Sequence, residues 1–235
     1  MSRSRCAVAL AFAATVAMSG FSPTRSQAEE RASPMLASRL LFCPASAPTT
    51  RVGAWTPTRL RGAVGKLQIA FHQSCTATLV GPATVVTAAH CAFNPRTQRY
   101  HLPGSLHFLF GYDGSRYAGH AIGIKIETGP GYDPSRPRET IGSDWVLISL
   151  DTPLGSSDRV LPMIGKLPQT GSTIILGGYQ QDHPLVLMAD TDRRVVGQVT
   201  DSAGRLLLWH NCTGTRGVSG APLLTEKDGN GIPGD

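Results

Sequence analysis

Ser219 stands in the stretch TRGVSGAPLL (215–224), between Gly217 and Gly220. A serine hydroxyl in such a place is either an acylating nucleophile or an ordinary loop residue, and Gly/Ser loops more often serve structural ends. To act as a nucleophile it needs a base to take its proton, an acid to orient that base, and N–H donors for the oxyanion formed on an attacked carbonyl. The chain holds seven histidines. His90 alone sits where an imidazole could be held rigidly, at the end of CTATLVGPATVVTAAHC (75–91) and next to Cys91. The others (His72, His101, His107, His120, His183 and His210) read as surface or strand residues. Among the carboxylates, Asp144 opens the apolar segment of GSDWVLISLDTPL (142–154). Burying a charge there is costly unless it is paired.

The stretch from Cys75 to Cys91 resembles the trypsin-like (chymotrypsin-fold) serine peptidases, in which a hairpin ends in T-A-A-H-C. The resemblance implies that His90 is the general base, that Cys75 and Cys91 form a disulfide, and that Asp144 is the triad acid, with Asp151 a turn residue. It further implies that Ser219 is the nucleophile of a G-x-S-G turn made by Gly217, Ser219 and Gly220 and followed by Pro222, and that the N–H groups of Gly217 and Ser219 form the oxyanion hole. The order His, Asp, Ser along the chain is that of this fold and not of subtilisins or α/β-hydrolases. A disulfide closing a loop of about 15 residues adds roughly 3 kcal/mol in the chain-entropy model. It would also fix the histidine's neighbour. The resemblance spans about residues 52–225.

Four features depart from the pattern of the family or of its trypsin-type members. Val218 stands where digestive members carry an aspartate that pairs with the freed N-terminus, so activation here is expected not to use that ion pair. Many bacterial relatives, glutamyl endopeptidases among them, also lack that acid. The chain ends soon after Ser219, where the family has two more strands and usually a helix, so the second barrel is expected to lack its closing strands; the terminal DGNGIPGD (228–235) reads as a turn. Cys212 has no partner cysteine on the strand before it, and either pairs with Cys43 or stays a thiol. Thr213 lies six positions before Ser219, where trypsin-type enzymes place an aspartate. An Arg/Lys preference therefore loses its electrostatic basis.

Short β-rich segments must bring these residues together. KLQIAFH (66–72), TATLV (76–80) and TVVTA (84–88) read as strands, with Gly81-Pro82 turning the last two into a hairpin. SLHFLFGY (105–112) and HAIGIKIE (120–127) form another pair, and WVLISL (145–150) is a buried strand. STIILGGY (172–179), LVLMAD (185–190), RVVGQV (194–199), RLLLWH (205–210) and APLL (221–224) follow. No amphipathic helix is evident. Such spacing argues for an all-β sandwich or barrel. The resemblance narrows this to two antiparallel six-stranded Greek-key barrels of the chymotrypsin type, barrel one over about 62–152 and barrel two over about 160–235, the second incomplete.

The first 28 residues read as an export signal: Arg3 and Arg5, an apolar run from Cys6 to Met18, and SQA ending at Ala28. Their removal takes Arg3, Arg5 and Arg25 and no acid, lowering the formal net charge from +6 to +3. Residues 29–51 read as a leader or propeptide, with the peptidase domain over 52–235. Export implies a secreted or periplasmic location and an oxidising compartment for the remaining cysteines. With no CxxC or HxxxH spacing, no metal site is expected, and no cofactor. Scattered basic residues give no nucleic-acid footprint. No membrane contact is expected after signal removal, and the sequence fixes no oligomeric state. The leading functional reading is a secreted serine endopeptidase acting on protein or peptide substrates. Against it stand an inert protease-like binding module and an esterase using the same three side chains.

Overall fold

Short runs of β-branched and aromatic residues, cut by Gly, Pro and Asp, cannot reach helical length and instead pair as strands. The computed structural model describes residues 6–9, 51–52, 62–69 and 73–226. Among them are fifteen strands and three short 3-10 turns. The strands are β1 (Cys6–Ala9), β2 (Arg51–Val52), β3 (Val64–Ile69), β4 (Gln73–Gly81), β5 (Thr84–Thr87), β6 (Phe93–Asn94), β7 (Arg99–Tyr100) and β8 (Leu106–Phe110), then β9 (Gly119–Thr128), β10 (Val146–Leu150), β11 (Met163–Ile164), β12 (Thr173–Gln180), β13 (His183–Thr200), β14 (Leu206–His210) and β15 (Leu223–Glu226).

Six strands close into an antiparallel barrel in the order β10-β5-β4-β3-β8-β9. Closure leaves no unpaired edge. Its interior is filled by alternating inward residues: Leu67 and Ile69, Ala77 and Leu79, Val85, Leu106 and Phe108, Val146 and Ile148. The β4–β5 hairpin turns at Pro82 and Ala83, as the Gly81-Pro82 signal predicts.

The second half is a seven-stranded sheet with the path β11-β1-β15-β12-β13-β14, and β2 beside β13. Two apolar clusters fill it. One gathers Leu161, Ile175, Ala189 and Leu224; the other gathers Ile174, Leu176, Val195, Leu208, Val218 and Leu223. Here the structure corrects one expectation. The two strands read at 185–190 and 194–199 are a single long strand, β13. The polar TDRR interruption does not end it. Asp192 takes a left-handed φ of 57°, and the register shifts so that Ile174 faces Arg193 while Leu176 faces Asp190. This bulge bends β13 from its partner β12 toward β14.

No closed barrel forms in this half among the described residues. Strand β1 lies antiparallel to β15 and parallel to β11. Apart from β1 and β2, the segments read as signal and leader lie outside the described residues, as do Cys43, His72 and the terminal DGNGIPGD.

Candidate functional site

His90 sits in the 3-10 turn Ala89–Cys91 that follows β5. The disulfide Cys75–Cys91 ties that turn back to β4, as expected from the resemblance, with Cα atoms 6.3 Å apart. Both sulfur-bearing residues are buried. Asp144 follows a second 3-10 turn, Ile141–Ser143, just before β10. Its carboxylate reaches the histidine twice: Oδ1 accepts the His90 backbone N–H at 2.9 Å, and Oδ2 lies 2.7 Å from Nδ1. The Asp144 side chain is fully buried and that of His90 is 27% exposed. A buried carboxylate against Nδ1 selects the tautomer with its proton on Nδ1, leaving Nε2 as the unprotonated ring nitrogen.

Ser219 lies in the turn between β14 and β15. Gly217 and Gly220 take φ of +95° and +82°, conformations side chains rarely adopt. A Cβ on Gly220 would come within 2.3 Å of the Thr76 carbonyl oxygen and closer still to the Thr87 hydroxyl. The N–H groups of Gly217 and Ser219 donate to no partner among the described residues, so two adjacent amides are left available at the serine.

The loop is clamped from several sides. Thr76 of β4 donates its N–H to the Ser219 carbonyl (2.9 Å) and its hydroxyl to the Gly217 carbonyl (3.0 Å). The same hydroxyl accepts the Tyr179 N–H from β12 (2.9 Å). From the β12–β13 turn, Gln180 Oε1 accepts the Thr215 N–H, and the Gln181 N–H donates to the Arg216 carbonyl. Val218 is 3% exposed and packs among Ile174, Leu176, Val195 and Leu223. An apolar anchor holds the loop where digestive relatives use an ion pair.

His90, Asp144 and Ser219 line one cleft of about 260 Å³, together with Ala88, Leu176, His210 and the 214–216 segment. No hydrogen bond joins Ser219 to His90 among the described residues. Such contacts often tighten only when substrate binds.

Behind the cleft, Thr213 is held by Asp190, whose Oδ2 accepts both its N–H and its hydroxyl. The other Asp190 oxygen accepts Arg193 Nε at 2.8 Å. Asp190 is fully buried, and its charge is met by Arg193. Cys212 is buried in the same cluster as Val218, and its N–H donates to His210 Nδ1 at 3.2 Å.

The sequence reading singled out neither Thr76 nor His210. Thr76 carries no signal beyond its adjacency to Cys75. For His210 the only signal is its place two residues before Cys212 on the strand leading to Ser219. Burial holds its imidazole pKa down to about 4, against the opposing pull of Asp190. No cluster of three metal-ligating side chains occurs among the described residues.

The family model described as Trypsin matches residues 53–232. Among solved structures the chain is similar to a Glu endopeptidase in complex with MPD, at 20% identity and a TM-score of 0.64, over 79% of this chain and 83% of that one. It is also similar to the thermostable serine protease AL20 from an extremophilic microorganism, at 18% identity and a TM-score of 0.56, over 73% of this chain and 82% of that one. At these identities the likeness shows the fold. No curated protein sequence matches the chain.

Proposed function

The chain belongs to the trypsin family, and from that premise we propose that it is an exported serine endopeptidase in which Ser219, His90 and Asp144 form the triad. Family and fold already make it a peptidase-type hydrolase with protein or peptide substrates. The observation that carries the finer reading is the double contact of the buried Asp144 carboxylate with His90, in a cleft that Ser219 also lines.

In this reading Ser219 Oγ attacks the peptide carbonyl carbon as His90 Nε2 takes its proton. The oxyanion is met by the N–H groups of Gly217 and Ser219. His90 then returns the proton to the departing amine, leaving an acyl ester on Ser219. Water, deprotonated by the same imidazole, hydrolyses that ester. Asp144 stabilises the imidazolium that forms in each half.

The basic start, apolar run and small-residue site at Ala28 support export of the chain, with residues 29–51 as a leader. Cleavage after Ala28 would release β1 from β15.

A fluorophosphonate should label the full-length chain, and labelling should vanish in Ser219→Ala and in His90→Ala. Labelling that survives either substitution overturns the triad. Folded protein, verified by circular dichroism, that takes no label and cleaves no casein supports the inert alternative instead.

A further inference from the structure

Away from the cleft, two histidines meet each other. His107 on β8 and His120 on β9 are 13 residues apart along the chain, yet His107 Nδ1 lies 2.9 Å from His120 Nε2. The antiparallel register pairs His107 with Ile122 and Leu109 with His120, so the two histidines are diagonal neighbours, close enough for long side chains to touch. Leu106, Phe108 and Ala121 beside them belong to the barrel core. Alternation therefore puts both imidazoles on the outer wall of the barrel, where each is half-buried. No local spacing announces the pair, because only strand pairing makes it.

The two rings are parallel within 3°, with centroids 5.1 Å apart. That separation exceeds the nitrogen–nitrogen distance by about the width of one ring, so the rings meet edge to edge and the facing nitrogens point at one another. When both rings are neutral, one facing nitrogen carries a proton and the other accepts it. The outer nitrogens, Nε2 of His107 and Nδ1 of His120, have no protein partner among the described residues. The shared proton can therefore move to the outer nitrogen of its own ring and be met there by water. Both facing lone pairs are then aimed into one gap, which suits a cation. A tetrahedral ion bound by two imidazoles at about 2.0–2.1 Å holds their nitrogens about 3.3 Å apart. The pair reaches that spacing by opening a few tenths of an ångström and turning slightly, on a surface where side chains can turn. Tyr117 flanks His120 with ring centroids 5.9 Å apart. Asp151, fixed by the Ile122 N–H at 2.9 Å, lies near enough to His120 for their charges to interact.

We propose that His107 and His120 form a two-point site for a divalent transition-metal ion, Cu2+ ahead of Zn2+, with His107 Nδ1 and His120 Nε2 as its protein ligands. Imidazole suits both ions, and Cu2+ stands above Zn2+ in the general order of affinity. Among the described residues no third metal-ligating side chain completes the set, so water fills the remaining positions and the ion exchanges readily. Asp151 contributes its charge from outside the ligand set. The two rings are already brought together in the folded chain, so little side-chain freedom is lost on binding. The site stands on the barrel wall, apart from the cleft, and holds whether or not Ser219 is a nucleophile.

The test uses the full-length chain without a histidine tag, stripped with a chelator and titrated with CuCl2 and with ZnCl2 in a calorimeter. One ion per chain is expected to bind with clear preference, Cu2+ more tightly than Zn2+. The electron paramagnetic resonance spectrum of the Cu2+ form should show coupling to two ring nitrogens. His107→Asn and His120→Asn should each weaken Cu2+ binding by roughly 10²-fold, because a second linked ligand supplies that much. The double variant should be no weaker than either single one, since one imidazole alone cannot chelate. His101→Asn and His183→Asn should bind like the parent chain. Single variants, folded by circular dichroism, that hold Cu2+ as tightly as the parent overturn the proposal. So does loss of the ion in His101→Asn or His183→Asn instead. The parent spectrum is a check that needs no variant: coupling to fewer than two nitrogens overturns the site as well.

Discussion

Thr76 donates at its N–H and its hydroxyl to the Ser219 loop while its hydroxyl accepts from β12. Its own carbonyl takes the Thr87 hydroxyl at 2.7 Å. One buried side chain therefore joins the barrel, the second sheet and the candidate nucleophile loop. Thr76→Val keeps shape and removes the hydroxyl, leaving the Gly217 carbonyl and the Tyr179 N–H without it. Each orphaned group costs about 1–3 kcal/mol. The prediction is a chain that still folds, with a lower urea midpoint and a fluorophosphonate labelling rate down by roughly 10²-fold, as misplacement by about 1 Å can produce. Thr76→Ser should restore most of the rate. Unchanged labelling in Thr76→Val would mean that the hydroxyl does not position the loop.

The turn between β13 and β14 reaches across to the segment that carries Asp144. Asp201 Oδ2 accepts the Gly142 N–H (3.1 Å) and Arg205 Nε (2.7 Å), and the Arg205 guanidinium also donates to the Ser143 hydroxyl. The segment that carries Asp144, the proposed triad acid, is thus seated by an element of the other half of the molecule, and Arg205→Met should weaken that seat. Removing a hydrogen bond to a charged partner costs about 1.5–3 kcal/mol, read as a lower melting temperature together with slower labelling. Burial alone would push the Asp201 carboxyl up, but the backbone N–H and guanidinium of Arg205, with the Gly142 N–H, outweigh it and hold the carboxyl below its usual value. A depressed carboxyl stabilises the fold at pH values above its unfolded value. That stability is lost as pH falls through the folded one. Asp201→Asn should therefore be less stable than the parent chain at neutral pH, with the gap closing on acidification below about pH 4. A gap independent of pH would refute the assignment.

Among the described residues one closed barrel is joined to one sheet that does not close, and stability is expected to divide between them unevenly. The Cys75–Cys91 bridge belongs to the closed half and carries His90 on its second cysteine. Its removal in Cys75→Ala/Cys91→Ala should cost roughly 3 kcal/mol in the chain-entropy model. Dithiothreitol should lower the urea midpoint of the parent chain and leave that of the double variant alone. A parent chain indifferent to reductant would show that the bridge adds no stability. The open half orders the Ser219 loop by burying Val218, so competence for labelling should not wait on a newly freed N-terminus, unlike in relatives that use an aspartate there.

Much of this was legible along the chain. The hairpin and the strand beside each candidate residue are properties of contiguous segments, because strand period and turn residues are local; the bridge and the expected roles of His90, Asp144 and Ser219 came with the family resemblance that their motifs carry. The TDRR interruption of β13 was misread, since a bulge lets a strand continue where polar composition says stop. What the packing alone settled lies between segments more than a hundred residues apart: the contacts of Thr76 with the Gly217 and Ser219 carbonyls and with the Tyr179 N–H. Nothing local marks them, because a hydroxyl or imidazole acquires its partner only when two sheets meet and desolvation forces every buried donor to find an acceptor.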